Sequence, residues 1–445
     1  MSEPGKARSG LSRLRDQALA FGQKDGLRRL VRHGPFAMAA SSLPGAVNYV
    51  AILYLTYLSS AAETGRYRLL FSWFALYGLA SVFESNKVFI RSIAENDKSS
   101  TVGLFVTRLI FSGAAFVVTL GVWAVGLAIH RPVPGELVWI ALIALFFYPA
   151  NAYQSYYQVK SWFMLFFASE LVKYGVALVV LLAMLHFGFS IVQAVLAQFV
   201  VMAAFHLIFF GFSVATFIDW QTIAGGWRQM LFSPASREAQ SLSLANFLPS
   251  TLEHVDKMVV GAVFGLQTLG LYTLGFSTGR FIYNALKPAL YIYYKRFVSR
   301  LPTQGLLWML GIGFSAFGAL LSIAFLMAVA SIPALAPFRG TQMVTIILFL
   351  SYGIGMVDAV YLQAYSINKD TESNHILIAN TLASVACLGL FGVAALLTGP
   401  VALALFALHY PLRHGLSVSI VSLLSRRSVA MKALDDRPPQ AKVRT

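Results

Sequence analysis

Twelve charged residues lie in or at the mouths of stretches that otherwise read as hydrocarbon: Glu84, Lys87, Arg91, Glu170, Lys173, Glu253, Asp256, Lys257, Arg280, Lys287, Arg296 and Asp358. A charge at membrane depth costs about 2.5–3.5 kcal/mol even on a lenient insertion scale. A chain that only needed to sit in a bilayer would carry Leu or Ala instead. Such charges face protein, one another or a water-filled path. Ordered by expected depth, the cations form a ladder. Lys257 is outermost, Arg280 and Lys173 are central, Lys287 and Lys87 lie further in, and Arg91 and Arg296 stand at the mouth. A cationic path suits an anion such as a phosphate or pyrophosphate group. Asp256, Glu253, Glu170, Glu84 and Asp358 then serve as counter-charges or in ion coupling. Glu84–Lys87 and Glu170–Lys173 are spaced i, i+3, so each pair can also neutralise itself locally. Arg108 is close enough to a span end to snorkel. Asp358 and Arg413 can pair with each other or with the path.

Other chemistry lacks its residues. The sequence has no GxxxxGK[ST] phosphate loop and no HExxH, its eight histidines are scattered, and no nucleophile has a base beside it. No metal site, cofactor or catalytic residue is expected. Cys387 alone excludes a disulfide framework and reads as a packing residue.

The elements that must position these charges are membrane helices. Of 445 residues, 58% are hydrophobic and 12% charged, against about 25% charged in an ordinary soluble domain. This predicts an all-α polytopic membrane protein. Twelve segments reach the roughly 20 residues that span a bilayer. They lie near 36–58, 67–90, 103–128, 138–158, 162–185, 190–212, 239–262, 270–294, 305–330, 341–363, 375–397 and 399–424. The expected organisation is a basic amphipathic or disordered tail (1–35), a six-helix lobe (36–212), a linker (213–238), a second six-helix lobe (239–424) and a basic tail (425–445). The net charge of +16 concentrates in the tails, the pattern of segments held against anionic lipid and not of nucleic-acid binding. With both termini cytoplasmic, tails and inner loops hold 23 of the 34 Lys and Arg residues and the outer loops four. The positive-inside rule selects that orientation.

The halves are copies. A shift of 205 places Leu43-Pro44 on Leu248-Pro249, Gly65 on Gly270, Tyr67 on Tyr272, Phe71-Ser72 on Phe276-Ser277 and Arg91 on Arg296. A shift of 209 places Gln154, Tyr156 and Lys160 on Gln363, Tyr365 and Lys369. Six spans per half is even, so the two lobes are parallel repeats around a central cavity. The central charges are not copied: Asp256, Lys257 and Arg280 fall on Ala51, Ile52 and Ala75. Gly261–Gly265 and Gly275–Gly279 are close-packing spacings. The aromatic runs at Tyr153–Tyr157 and Tyr291–Tyr294 read as interfacial belts.

The run Asp256–Gly261, then Gly265 and Leu269-Gly270-Leu271-Tyr272, resembles the seventh-to-eighth-span signature of bacterial polysaccharide and O-antigen (Wzx-type) flippases. These belong to the multidrug/oligosaccharidyl-lipid/polysaccharide exporter superfamily, and Gly65-Arg66-Tyr67 resembles that family's turn after the first span. The resemblance implies two lobes working by alternating access in the bacterial inner membrane. It implies a polyprenyl-pyrophosphate-linked oligosaccharide as substrate and polysaccharide polymerases as working partners. Arg280, Lys257 and Lys173 would hold the pyrophosphate. Three alternatives stay open: a drug or cation antiporter of the same superfamily, a membrane-embedded glycosyltransferase or polymerase, and another lipid or teichoic-type exporter.

Overall fold

The computed structural model describes residues 24–130, 133–217, 226–286, 301–367 and 373–435. The described residues form helices joined by short turns, without a strand among them. The first half contains α1 (Lys24–Leu58), α2 (Ala61–Ala80), α3 (Ser85–Ala94), α4 (Lys98–Ala128), α5 (Glu136–Ala150), α6 (Ala152–Val159), α7 (Phe163–His186) and α8 (Ile191–Phe217). A short α9 (Trp227–Leu231) leads into α10 (Pro234–Leu286). The second half continues with α11 (Gln304–Ser331), a 3-10 segment (Pro333–Thr341), α12 (Gln342–Leu350), α13 (Tyr352–Ile367), α14 (Ser373–Ala395) and α15 (Gly399–Asp435).

Nine helical stretches among the described residues are long and apolar enough to cross a membrane. Three further crossings bring the architecture to the expected twelve. The 53-residue α10, counted once among the nine, folds at Gly265 (φ 84°, ψ 168°) and so supplies one more. The kinked pair α2–α3 and the charged α15 supply the others. Three spans break mid-course. Val82 between α2 and α3 has φ 55°. Pro149 lies just before the break at Asn151 between α5 and α6. Ser351 separates α12 from α13 and bonds its hydroxyl back to Leu348 O at 2.7 Å.

Local sequence starts the helices. Ser60 caps α2 by accepting from Glu63 N at 3.2 Å. Asp97 caps α4 by accepting from Ser100 N at 3.0 Å. Thr303 caps α11 through Leu306 N. Each cap satisfies a backbone donor that the first turn leaves open. Aliphatic residues of α4 such as Val117, Val118 and Val122 face outward, as lipid-exposed helix faces require.

The halves meet through copied glycines at the face opposite the chain ends. A Cβ on Gly65 would lie 2.0 Å from Leu266 O, and one on Gly270 would lie 1.9 Å from Ala61 O. Positions 61 and 266 are related by the same 205-residue shift as 65 and 270. The contact is therefore made twice about a pseudo-twofold axis, which fixes the parallel two-lobe arrangement. The seam continues where Tyr49 stacks on Phe281 (5.0 Å between centroids) and shares a 3.1 Å hydrogen bond with Thr278. Gly275 and Gly279 pack as read, against Thr341 and Leu348. Tyr153, Tyr156 and Tyr157 do not form a lipid-facing belt. They are buried in the first lobe's core beside Phe166 and Phe210. Tyr291–Tyr294, with Lys287 and Arg296, lie outside the described residues.

Candidate functional site

The second half's first helix places the site. Pro249 in α10 has no N–H to give, so the Ala245 carbonyl one turn back is released from the helix ladder. Asn380 of α14 donates to that carbonyl at 3.2 Å and to Asn246 Oδ1 at 3.0 Å, and accepts from Ser417 of α15 at 3.2 Å. Arg413 of α15 donates to Pro249 O at 2.7 Å. The proline thus draws α14 and α15 against α10. The polar wall they build lines a cavity of about 400 Å³.

Leu79, Phe83, Glu84 and Lys87 of the first lobe close one side of this cavity; Asn246, Ser250, Glu253, His254, Asp358, Gln363, Asn380, Arg413 and Ser417 form the other. A hydrogen-bonded chain runs through the second lobe's wall. Asp358 Oδ2 lies 2.6 Å from His414 Nδ1, and His414 Nε2 lies 3.2 Å from Arg413 Nη2. An arginine only donates, so His414 accepts on Nε2 and donates from Nδ1 to Asp358. Arg413 also donates to Glu253 Oε1 at 3.0 Å, and Glu253 Oε2 accepts from Arg280 Nη1 at 3.2 Å. Arg280 is gripped further by aromatic faces, 4.5 Å from the Tyr410 centroid and 5.3 Å from that of Phe276. Asp358 is therefore partnered by His414, and Arg413 by Glu253.

Among the twelve charges read from the sequence, Glu84, Lys87, Glu253 and Asp358 line the cavity. Arg280 stands one ion pair behind it. Lys257 and Lys173 do not reach it. Lys257 is sealed against its neighbour Asp256 (2.7 Å), donates to Glu253 O at 2.7 Å and lies 3.8 Å from the Phe276 ring. Tyr272 donates to the same carboxylate at 2.8 Å. Lys173 is equally enclosed in the first lobe, with Glu170 Oε1 at 2.7 Å, Tyr153 at 3.1 Å and His206 Nε2 at 2.8 Å. In a low-dielectric interior a lysine with a carboxylate within one turn satisfies itself locally and need not point at a lumen. Lys87 pairs with Glu84 at 2.8 Å on the rim. Arg91 bonds Glu238 across the lobes, Nη1 to Oε1 at 3.0 Å. That contact lies at the membrane face, and the bonded carboxylate holds the Arg91 guanidinium above its ordinary pKa.

Two contributors are placed only by the structure. Arg413, read as pairing with Asp358 or with the charges of the path, pairs with Glu253. Arg68 reads as an outer-loop residue. Because α2 already begins at Ala61, Arg68 lies two turns inside it, within electrostatic range of Asp256, Glu253 and Arg280. The signal was available: Ser60 followed by Glu63 marks a helix start. Arg68 Nε and Arg280 Nε are both sealed from solvent without an acceptor.

A profile described as "Polysaccharide biosynthesis protein" matches residues 58–301, more than half of the 445-residue chain. The chain belongs to this polysaccharide biosynthesis family. The matched range includes both Gly65 and the Asp256–Tyr272 run. No curated protein matches the chain. Solved structures of similar fold include the MATE multidrug transporter DinF-BH, with TM-score 0.57, 14% identity, and 96% of this chain and 98% of that one covered. A MATE structure in complex with MaD3S gives TM-score 0.56, 16% identity and coverage of 92% and 97%. The eukaryotic MATE transporter AtDTX14 gives 0.52, 12%, and 90% and 95%. These similarities give this family member the MATE-type two-lobe fold.

Proposed function

We propose that the protein is a flippase. It turns a polyprenyl-pyrophosphate-linked oligosaccharide across the bacterial inner membrane by alternating access, with both termini cytoplasmic, for surface or exopolysaccharide assembly. The observation that carries this reading is the polar cavity between the lobes. Its amides and hydroxyls (Asn246, Asn380, Gln363, Ser250, Ser417) suit sugar hydroxyls, and its volume falls within the range of small-ligand sites, about 300–1,000 Å³. Arg68, Arg280 and Arg413 gather about Glu253 and exceed it in charge. The unsatisfied Nε groups of Arg68 and Arg280 suit phosphate oxygens. Lys87 and Arg91, with Lys287 and Arg296, are assigned to the entry path. Glu84, Glu253 and Asp358 act as counter-charges or in ion coupling, and the Asp256–Lys257 and Glu170–Lys173 pairs brace their lobes. Polysaccharide polymerases are the expected partners.

Deletion of the gene should cause lipid-linked glycan to accumulate in the cytoplasmic leaflet, with loss of surface polysaccharide. Arrest before the lipid-linked unit is complete would point instead to an enzyme of assembly. Arg280→Ala should lose at least ten-fold in export with protein level kept; full activity would remove Arg280 from the mechanism.

A drug or cation antiporter is the second reading. It is favoured by the three acids Glu84, Glu253 and Asp358 in the lining, set against Lys87 and Arg413. Drug resistance lost on deletion, with glycan export intact, would select it.

A further inference from the structure

Phe83 is an aromatic ring that no core absorbs. It lies half-buried between α2 and α3 and lines the cavity. It belongs to none of the apolar clusters that pack the lobes, and among the described residues it stacks on no other ring. Of the described residues lining the cavity, it is the one Phe, Tyr or Trp. The duplication does not copy it: the 205-residue shift places Phe83 on Pro288.

The local backbone accounts for its place. Val82 takes φ 55°, a left-handed conformation that a β-branched residue rarely adopts. The Val82 side chain is buried in the first lobe's core, while its neighbour Phe83 is left at the cavity. Such strain persists where the surroundings over-determine it. Ser81 Oγ donates to Gly78 O at 2.6 Å, and Ser85 N donates to Val82 O at 3.0 Å. Glu84 N donates across the lobes to Ser243 Oγ at 3.2 Å, tying the turn to α10. The cavity's two sides also differ. Apart from the rim pair Glu84 and Lys87, the first lobe contributes Leu79 and Phe83, and every other polar lining side chain comes from the second lobe. A sugar ring has the same asymmetry, with C–H bonds gathered on a face and hydroxyls around the edge. The negative face of a phenyl ring attracts such C–H bonds, and groups such as the Gln363 amide and the Ser250 hydroxyl pair with the edge. We propose that Phe83 is the platform for one pyranose ring of the carried glycan, whose hydroxyls meet the second lobe's wall. The proposal rests on the flippase reading and adds to it the class of sugar, a pyranose with a C–H-rich face.

The probe is the oligosaccharide released by mild acid from the host's lipid-linked unit, added to full-length protein in lipid nanodiscs free of sugar-headed detergent. Saturation-transfer NMR should mark the C–H protons of one sugar ring above the rest. Binding should weaken roughly ten-fold in Phe83→Leu, which keeps apolar bulk but removes the ring face, and should hold in Phe83→Tyr. Export in a deletion strain should follow the same order, with Tm unchanged in both variants. Phe83→Leu that binds and exports like the native protein overturns the proposal. So does a loss in Phe83→Leu that tracks a fall in Tm. Native protein that exports glycan without saturating any sugar proton removes the platform alone. Gene deletion that leaves glycan export intact removes the flippase reading itself.

Discussion

Asp256 and Glu253 lie three residues apart on α10 and do different work. Asp256 is fully enclosed with Lys257 and Tyr272, whereas Glu253 joins the arginines of two other spans beside the cavity. Removing one partner of an enclosed pair leaves a buried charge, which costs about 3–5 kcal/mol, while replacing both with apolar residues is often neutral. Asp256→Asn should therefore lower Tm and yield sharply, and Asp256→Leu with Lys257→Met should recover most of both. Glu253→Gln should keep the fold, because Arg413 retains Pro249 O and Arg280 retains its aromatic clamps, but should lose export. Residue types and approximate depth were legible in the sequence. Partnership was not, because it depends on helix rotation: Lys257 turns to its sequence neighbour, while Arg280 reaches 27 residues back to Glu253.

Helix ends and breaks were partly legible. The cap at Asp97 was open to reading, and it sets a pH dependence at the membrane face. Hydrogen bonds from Ser100 hold the Asp97 carboxyl below its usual range. A carboxyl lowered in the folded state stabilises above its unfolded value, and the contribution is lost as pH falls through the folded value. Asp97→Ala should cost about 1 kcal/mol at pH 7, and the Tm difference between variant and native protein should close in acid below the folded value. The interruptions at Val82 and Ser351 were not legible, whereas Pro149 marks the one at Asn151. The first two lie inside long apolar segments whose hydropathy does not register a change of axis. A proline at 249 interrupts a helix ladder on chemical grounds alone, but its effect, recruiting Asn380 and Arg413, required knowing which helices stand beside it.

At the scale of the molecule, the duplication and twelve-span plan were written in the sequence, since matched residues at a constant offset survive without any knowledge of packing. The seam between the copies was not, because a repeat says that two surfaces are alike and not that they touch. On the tail face the lobes are joined by Arg91 and Glu238, both more than one-third exposed, and exposed pairs contribute about 0–1 kcal/mol. That strength suits a contact that opens in the proposed alternating-access cycle. Arg91→Glu should impair export, and Arg91→Glu with Glu238→Arg should restore it, read by surface polysaccharide in a deletion strain. On the far face, Gly270→Ala would set a methyl against Ala61 O and should abolish export in protein that still inserts, as should Gly65→Ala. These glycine contacts have a mechanical meaning as well. The contacts at Gly65–Leu266 and Gly270–Ala61 lie within one helical turn of each other, with Gly65 also against Gly270 N, so they act as one short clasp with no room to spread, and any parting of the lobes is smallest there and widest at the opposite, tail face.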